Sequence, residues 1–193
     1  MKLNNKLNAL LVIFAAIAIA MGCSSSGGSQ QAEANAIVDK ANKKLDETKE
    51  LMSKVETRNS ALFSANIQTV NQLRGYKVIA SSEAKSIVAD YDRVTDNLKD
   101  IAKQYDEISR LNVDEKYKSY AKLKSEEFAK RAEAVGVRKG NAQAFAEIDD
   151  PRTLLQKFEE NNTKSDRMFK DAEDIASKAK KIEDDNKEIF KQA

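Results

Sequence analysis

The chain has 193 residues, with 33 Lys and Arg against 31 Asp and Glu, one Cys, one Pro, six Gly and neither His nor Trp. The missing His and the lone Cys exclude imidazole acid–base chemistry, Cys/His zinc sites and a disulfide within the chain. Evenly mixed charge leaves no basic footprint for nucleic acid, and so little Gly and Pro predicts few turns and a mostly helical chain.

Lys2 and Lys6 precede thirteen uninterrupted apolar residues, 9–21, followed by Gly22, Cys23 and the run Ser24-Ser25-Ser26-Gly27-Gly28-Ser29-Gln30-Gln31. A basic start, a short apolar stretch and a small residue before the cut read as a secretory signal peptide. As a helix the apolar stretch reaches only about 20 Å, against the roughly 30 Å hydrocarbon core that a spanning anchor must cross. Ala20-Met21-Gly22-Cys23 resembles the lipobox of bacterial lipoproteins, which ends in Gly or Ala before Cys; Ala20 and Met21 stand where Leu and Ala or Ser are usual.

That resemblance implies cleavage between Gly22 and Cys23, diacylglyceryl transfer to the Cys23 thiol and acylation (palmitate or a similar chain) of the new amino group. Two or more acyl chains anchor a protein stably where one does not. In a Gram-negative host, Ser24 after the Cys resembles the signal that permits transfer to the outer membrane. The expected organisation is therefore a signal peptide at 1–22, a lipidated Cys and flexible tether at 23–31, and a helical domain at 32–193. Removing residues 1–22 discards two Lys and no acid, so 31 basic and 31 acidic side chains remain of the 33 and 31.

From about Ala32 a 4,3 spacing begins: Ala34, Val38, Ala41, Leu45, Thr48, Met52, Val55, Asn59, Leu62, Asn66, Thr69 and Leu73. It predicts one long helix that keeps a single stripe toward its neighbours, with Phe63, Ile67 and Val70 widening the stripe. Gly75 is expected to end or kink it. Ser81 or Ser82 offers the next N-cap, ahead of Ala84, Ile87, Tyr91, Val94, Leu98, Ile101, Tyr105 and Ile108.

Asn112-Val113-Asp114 marks a turn with Asp114 as cap. A looser face follows in Tyr117, Tyr120, Ala121, Phe128, Ala129, Ala132 and Val135. Arg138-Lys139-Gly140 has the chemistry of a helix C-terminus, with a further turn or two over 141–148. Asp150-Pro151 starts the last helix, whose spacing runs through Leu154, Phe158, Asn161, Ser165, Met168, Ala172, Ile175, Ala179, Ile182, Asn186 and Ile189. Its weak point is expected at Asn161-Asn162-Thr163, and its end near Ala193. The fold class is all-α: an elongated, antiparallel, coiled-coil-like bundle of three to four helices with two helices of about 60 Å flanking two shorter ones.

The acidic pairs Glu126-Glu127, Asp149-Asp150, Glu159-Glu160 and Asp184-Asp185 point about 100° apart on a helix and read as solvated faces rather than carboxylate dyads. The bundle di-metal motif needs a His, and no Gly-rich loop cradles a phosphate. Tyr91 and Tyr105 read as core with their hydroxyls at the rim; Tyr117 and Tyr120 sit on a less defined face. Polar seam positions Asn59, Asn66, Thr69, Asn161 and Ser165 read as register devices. No catalytic residue, metal ligand or cofactor is expected. The expected function is a non-catalytic structural or protein-interaction lipoprotein of the cell envelope, with an envelope protein or a second copy as partner. The alternative is a ligand-binding module for cell-wall glycan or, on the surface, an adhesin.

Overall fold

The structure is a computed structural model in which residues 30–190 are described. Four long helices follow one another: α1 (Gln31–Leu62), α2 (Val70–Ser109), α3 (Glu115–Glu147) and α4 (Pro151–Asp185), with a final single turn, α5 (Lys187–Phe190). Among the described residues there is no strand. The helices form an antiparallel up-and-down bundle in which α1 packs on α2, α2 on α3 and α3 on α4. Short connections force this order, because each helix must fold back along its predecessor.

The periodic positions carry the core. All nine from Ala34 to Leu62 in α1 are buried, as are all eight from Ala84 to Ile108 in α2. In α3, Tyr117, Tyr120, Ala121, Phe128, Ala132 and Val135 are buried, whereas Ala129 faces solvent. Ion pairs set the α1–α2 register: Lys44 Nζ lies 2.7 Å from Asp100 Oδ2, and Arg58 reaches Glu83, Ser86 and Asp90.

Several boundaries differ from the sequence expectation. α1 starts at Gln31 and stops at Leu62, not near Leu73. Asn66 and Thr69 are exposed rather than on the seam. Thr69 caps α2 instead: its hydroxyl accepts from Gln72 N at 3.2 Å while Gln72 Oε1 accepts from Thr69 N at 3.1 Å. This is a capping box, and Thr-x-x-Gln is its sequence signature. Gly75 and Ser81-Ser82 therefore lie inside α2, which at 40 residues is the longest helix, about 60 Å. The other three long helices have 32, 33 and 35 residues, so the expected pairing of two long and two short helices does not hold.

α3 runs through Gly136 and Gly140 to Glu147 rather than ending at Arg138-Lys139-Gly140. Gly140 serves close packing: a Cβ there would lie 3.1 Å from Asn161 Nδ2 of α4. The α3 C-terminus is satisfied from α2, where Lys77 Nζ donates to Ile148 O at 2.8 Å and Ala146 O at 3.3 Å. A cation at exposed terminal carbonyls complements the helix dipole. Asp150 caps α4, accepting from Thr153 N at 2.8 Å with Pro151 in the first turn. α4 crosses Asn161-Asn162-Thr163 unbroken, then ends at Asp185.

The bundle's two ends differ. At one lie Gln30, the 110–114 turn and α5; Gln30 Oε1 accepts from Asn112 N there, and Phe190 packs on Tyr117 and Tyr120 at 5.1 and 5.0 Å. At the other, distal end lie the 63–69 and 148–150 connections. Phe63, just past α1, stacks on Phe158 of α4 at 4.3 Å and meets the edge of Phe145 at 6.0 Å.

Candidate functional site

The polar chemistry of the bundle concentrates at its waist, where all four long helices contribute to one cluster around Arg138. From α3, the Arg138 guanidinium donates to Glu56 Oε2 of α1 at 2.9 Å and to Ser165 Oγ of α4 at 2.7 Å, and also to Asp166 of α4. Its carbon lies 5.8 Å from the Phe169 ring centroid. Burial works against the Arg138 charge, but the Glu56 and Asp166 carboxylates outweigh it and hold its pKa above the ordinary value. The planar five-donor fork lets one side chain tie α1 and α4 through α3.

Tyr91 of α2 completes the layer. Its ring and hydroxyl are fully buried, not at the rim, and burial followed by the nearby Glu56 charge raises its pKa well above normal. Tyr91 Oη and Glu56 Oε1 are both buried, and a hydrogen bond from the hydroxyl to the Glu56 carboxylate is a further cause of that shift. One turn away, Asn141 donates to Asn162 Oδ1 at 2.9 Å, and Asn59 is 98% buried on the α1 side. Removing the Tyr91 hydroxyl leaves the buried Glu56 oxygen without its donor. Tyr91→Phe is therefore expected to destabilise the fold by about 2 kcal/mol in chemical denaturation; a gain of stability would show that the hydroxyl is unbonded.

The remaining sequence candidates fall elsewhere. Gly22 and Cys23, with most of the tether, lie outside the described residues. Tyr105, Tyr117, Tyr120, Phe128 and Phe190 form an aromatic cluster near the Gln30 end, where Tyr117 Oη donates to Asn35 Oδ1 at 3.1 Å. Lys124 Nζ sits 4.7 Å from the Phe128 centroid and 2.6 Å from Glu127 Oε2. Glu127 is thus a buried partner of Lys124 and Arg131 rather than part of a solvated face. Burial holds the nearby Glu183 carboxyl above the ordinary carboxylate range.

Of the other acidic residues, Asp149 pairs with Lys77, Asp150 is a cap, and Glu159, Glu160, Asp184 and Asp185 are exposed. Of the polar seam positions, Asn59 and Ser165 are buried in the core and Asn161 is half-buried against Gly140.

Sequence reasoning missed Arg138 as a hub because a basic residue before Gly also fits a helix end. Its signal was the 4,3 phase of α3: Arg138 follows Val135 by three residues, on the inner face. It also missed the exposed apolar residues of the distal end. Val78 is 82% and Ile79 75% exposed on α2, and Val70 and Leu155 are the other large exposed apolar side chains among the described residues. Among those residues no group of three or more His, Cys, Asp or Glu is placed to hold a metal ion, and no helix is long and apolar enough to cross a membrane. The chain matches no protein family, no characterised protein and no solved structure.

Proposed function

We propose that this chain is a lipid-anchored bacterial envelope protein, a non-catalytic helical rod that holds an interaction surface away from the membrane. The observation that supports it is positional: Cys23 of the lipobox-like segment precedes by only seven residues Gln30, which sits at one end of the bundle's long axis. Acyl chains on Cys23 attach the protein by that end. A tether of about seven residues has a root-mean-square reach of about 15 Å, which clears the lipid headgroups without setting an orientation, and the 63–69 and 148–150 connections form the end opposite the attachment point. The waist cluster ties helices to one another and serves the rod's register. In a Gram-negative host, Ser24 favours the outer membrane.

Replacing Cys23 by Ser is expected to abolish incorporation of a radiolabelled fatty acid and to move the protein from the membrane to the soluble fraction. A variant that kept both the label and its membrane residence would sink the anchor. Chemical cross-linking in the producing cell then reads the partner: recurrent adducts with one envelope protein, or with the chain itself, support the interaction role, and adducts with wall glycan alone overturn it.

A further inference from the structure

The first turns of α2 form a face that is left exposed among the described residues. Asn71, Gly75, Val78, Ile79 and Ser82 recur at helical spacing on the side away from Leu73, Ala80 and Ala84, which are buried. Arg58 pairs with Glu83, Ser86 and Asp90, so antiparallel register sets Leu62 near residue 82 and the start of α2 runs past the end of α1. Each choice on this face is locally unfavourable. A Gly inside a helix costs about 1 kcal/mol against Ala, and β-branched residues lose side-chain freedom there. Among the described residues nothing needs the glycine, since a Cβ at Gly75 would meet nothing within 4 Å.

The face also has no charge in a chain that is 33% charged. Of its charged flanks, Arg74 is engaged with Asp149 and Glu83 with Arg58, while Lys85 stands exposed one turn beyond Ser82. A basic partner would find no complement here, and an acidic or phosphate-bearing one only that single cation at the edge. A second copy of the same face would meet no repulsion, and its shape suits one: the Ile79 knob stands one turn from the Gly75 notch.

We infer that the distal end of α2 is a docking surface for a second copy of this chain, paired antiparallel about a two-fold axis near residue 77. In that arrangement each Ile79 enters the other copy's Gly75 notch, the reciprocal contact that a two-fold interface requires. Parallel pairing would set notch against notch and Lys85 against Lys85. The contact falls short of the roughly 800 Å² per partner of a stable complex, so it forms where many anchored copies face one another and effective concentration is high. It joins rods tip to tip across apposed membranes. The inference rests on the anchored reading above.

The test uses the full mature chain, purified from membranes, reconstituted into phospholipid vesicles and mildly oxidised, with Val78→Cys and Ser82→Cys compared on a non-reducing gel. Val78→Cys is expected to give a disulfide-linked dimer and clustered vesicles by light scattering. Ser82→Cys is expected to give neither link nor loss of clustering, because antiparallel pairing sets the two copies of residue 82 about 15 Å apart. Adding Gly75→Met to Val78→Cys is expected to cut the dimer about tenfold and disperse the vesicles. Met fills the notch and is the better helix former, so the fold is kept.

No Val78→Cys dimer, an equal Ser82→Cys dimer, or indifference to Gly75→Met would overturn the contact. A dimer of the unsubstituted chain would instead reveal a free Cys23 thiol and overturn the anchor, while the Gly75→Met comparison still decides the contact.

Discussion

Arg138→Met is expected to destabilise the bundle by about 3 kcal/mol, the low end of the cost of removing one partner from a buried ion pair. The low end applies because the Arg138 side chain is 14% exposed while those of Glu56 and Asp166 are 26% and 46% exposed. Water reaches the carboxylates and screens part of the loss. Met keeps the aliphatic stem that packs near Phe169, so the change isolates the guanidinium. Glu56 is then left half-buried with only the Tyr91 hydroxyl beside it, and Ser165, which is fully buried, loses its donor.

For a chain of this size that cost lowers the melting temperature by about 9 °C, read by circular dichroism at 222 nm. Glu56→Met in the same background is expected to restore part of it, because an apolar pair of similar volume replaces a broken ionic one. A drop below about 1 kcal/mol would mean that the cluster is a surface network of little weight.

Phe145→Ala is expected to cost more, about 4 kcal/mol, the usual penalty for emptying a buried aromatic site. Phe145 is 99% buried and meets the ring edges of Tyr76 at 5.6 Å and Phe63 at 6.0 Å. Phe63 in turn stacks on Phe158, so the three rings and Tyr76 join α2, α3, α4 and the connection after α1 at the distal end. Removing the central ring leaves a cavity that rigid helices on several sides cannot collapse to fill. The denaturant midpoint should fall with its slope unchanged. Amide exchange should quicken most at residues 63–70 and 148–155, which lean on that ring. Uniform quickening along the bundle would show that the distal end does not open on its own.

Much of the fold was legible in the sequence because helix geometry is local. A residue three or four places along returns to the same face whatever the rest of the chain does, so Ala34 to Leu62 and Ala84 to Ile108 declared their buried side. Asp150-Pro151 marked the start of α4 for the same reason: the cap bonds backbone only three residues away. The start of α2 was also written locally, in Thr69-Val70-Asn71-Gln72. There the 4,3 spacing carried on by coincidence through Asn66 and Thr69, and the cap's competing use of Thr69 went unread.

What the tertiary structure decided is everything that depends on one helix's position against another. Gly136 and Gly140 look like stops, yet α3 passes through both, because its packing between α2 and α4 outweighs a propensity cost of about 1 kcal/mol each. Arg138 became the hub only once Glu56, Ser165 and Asp166, far apart in sequence, were brought to one level. Val78 and Ile79 became surface only because α1 ends where it does. Periodicity tells a helix which side to bury; it repeats every turn and so leaves the register between helices nearly degenerate. Scarce features break that degeneracy at long range: one Arg among carboxylates, one ring stack at the distal end, one Gly against Asn161.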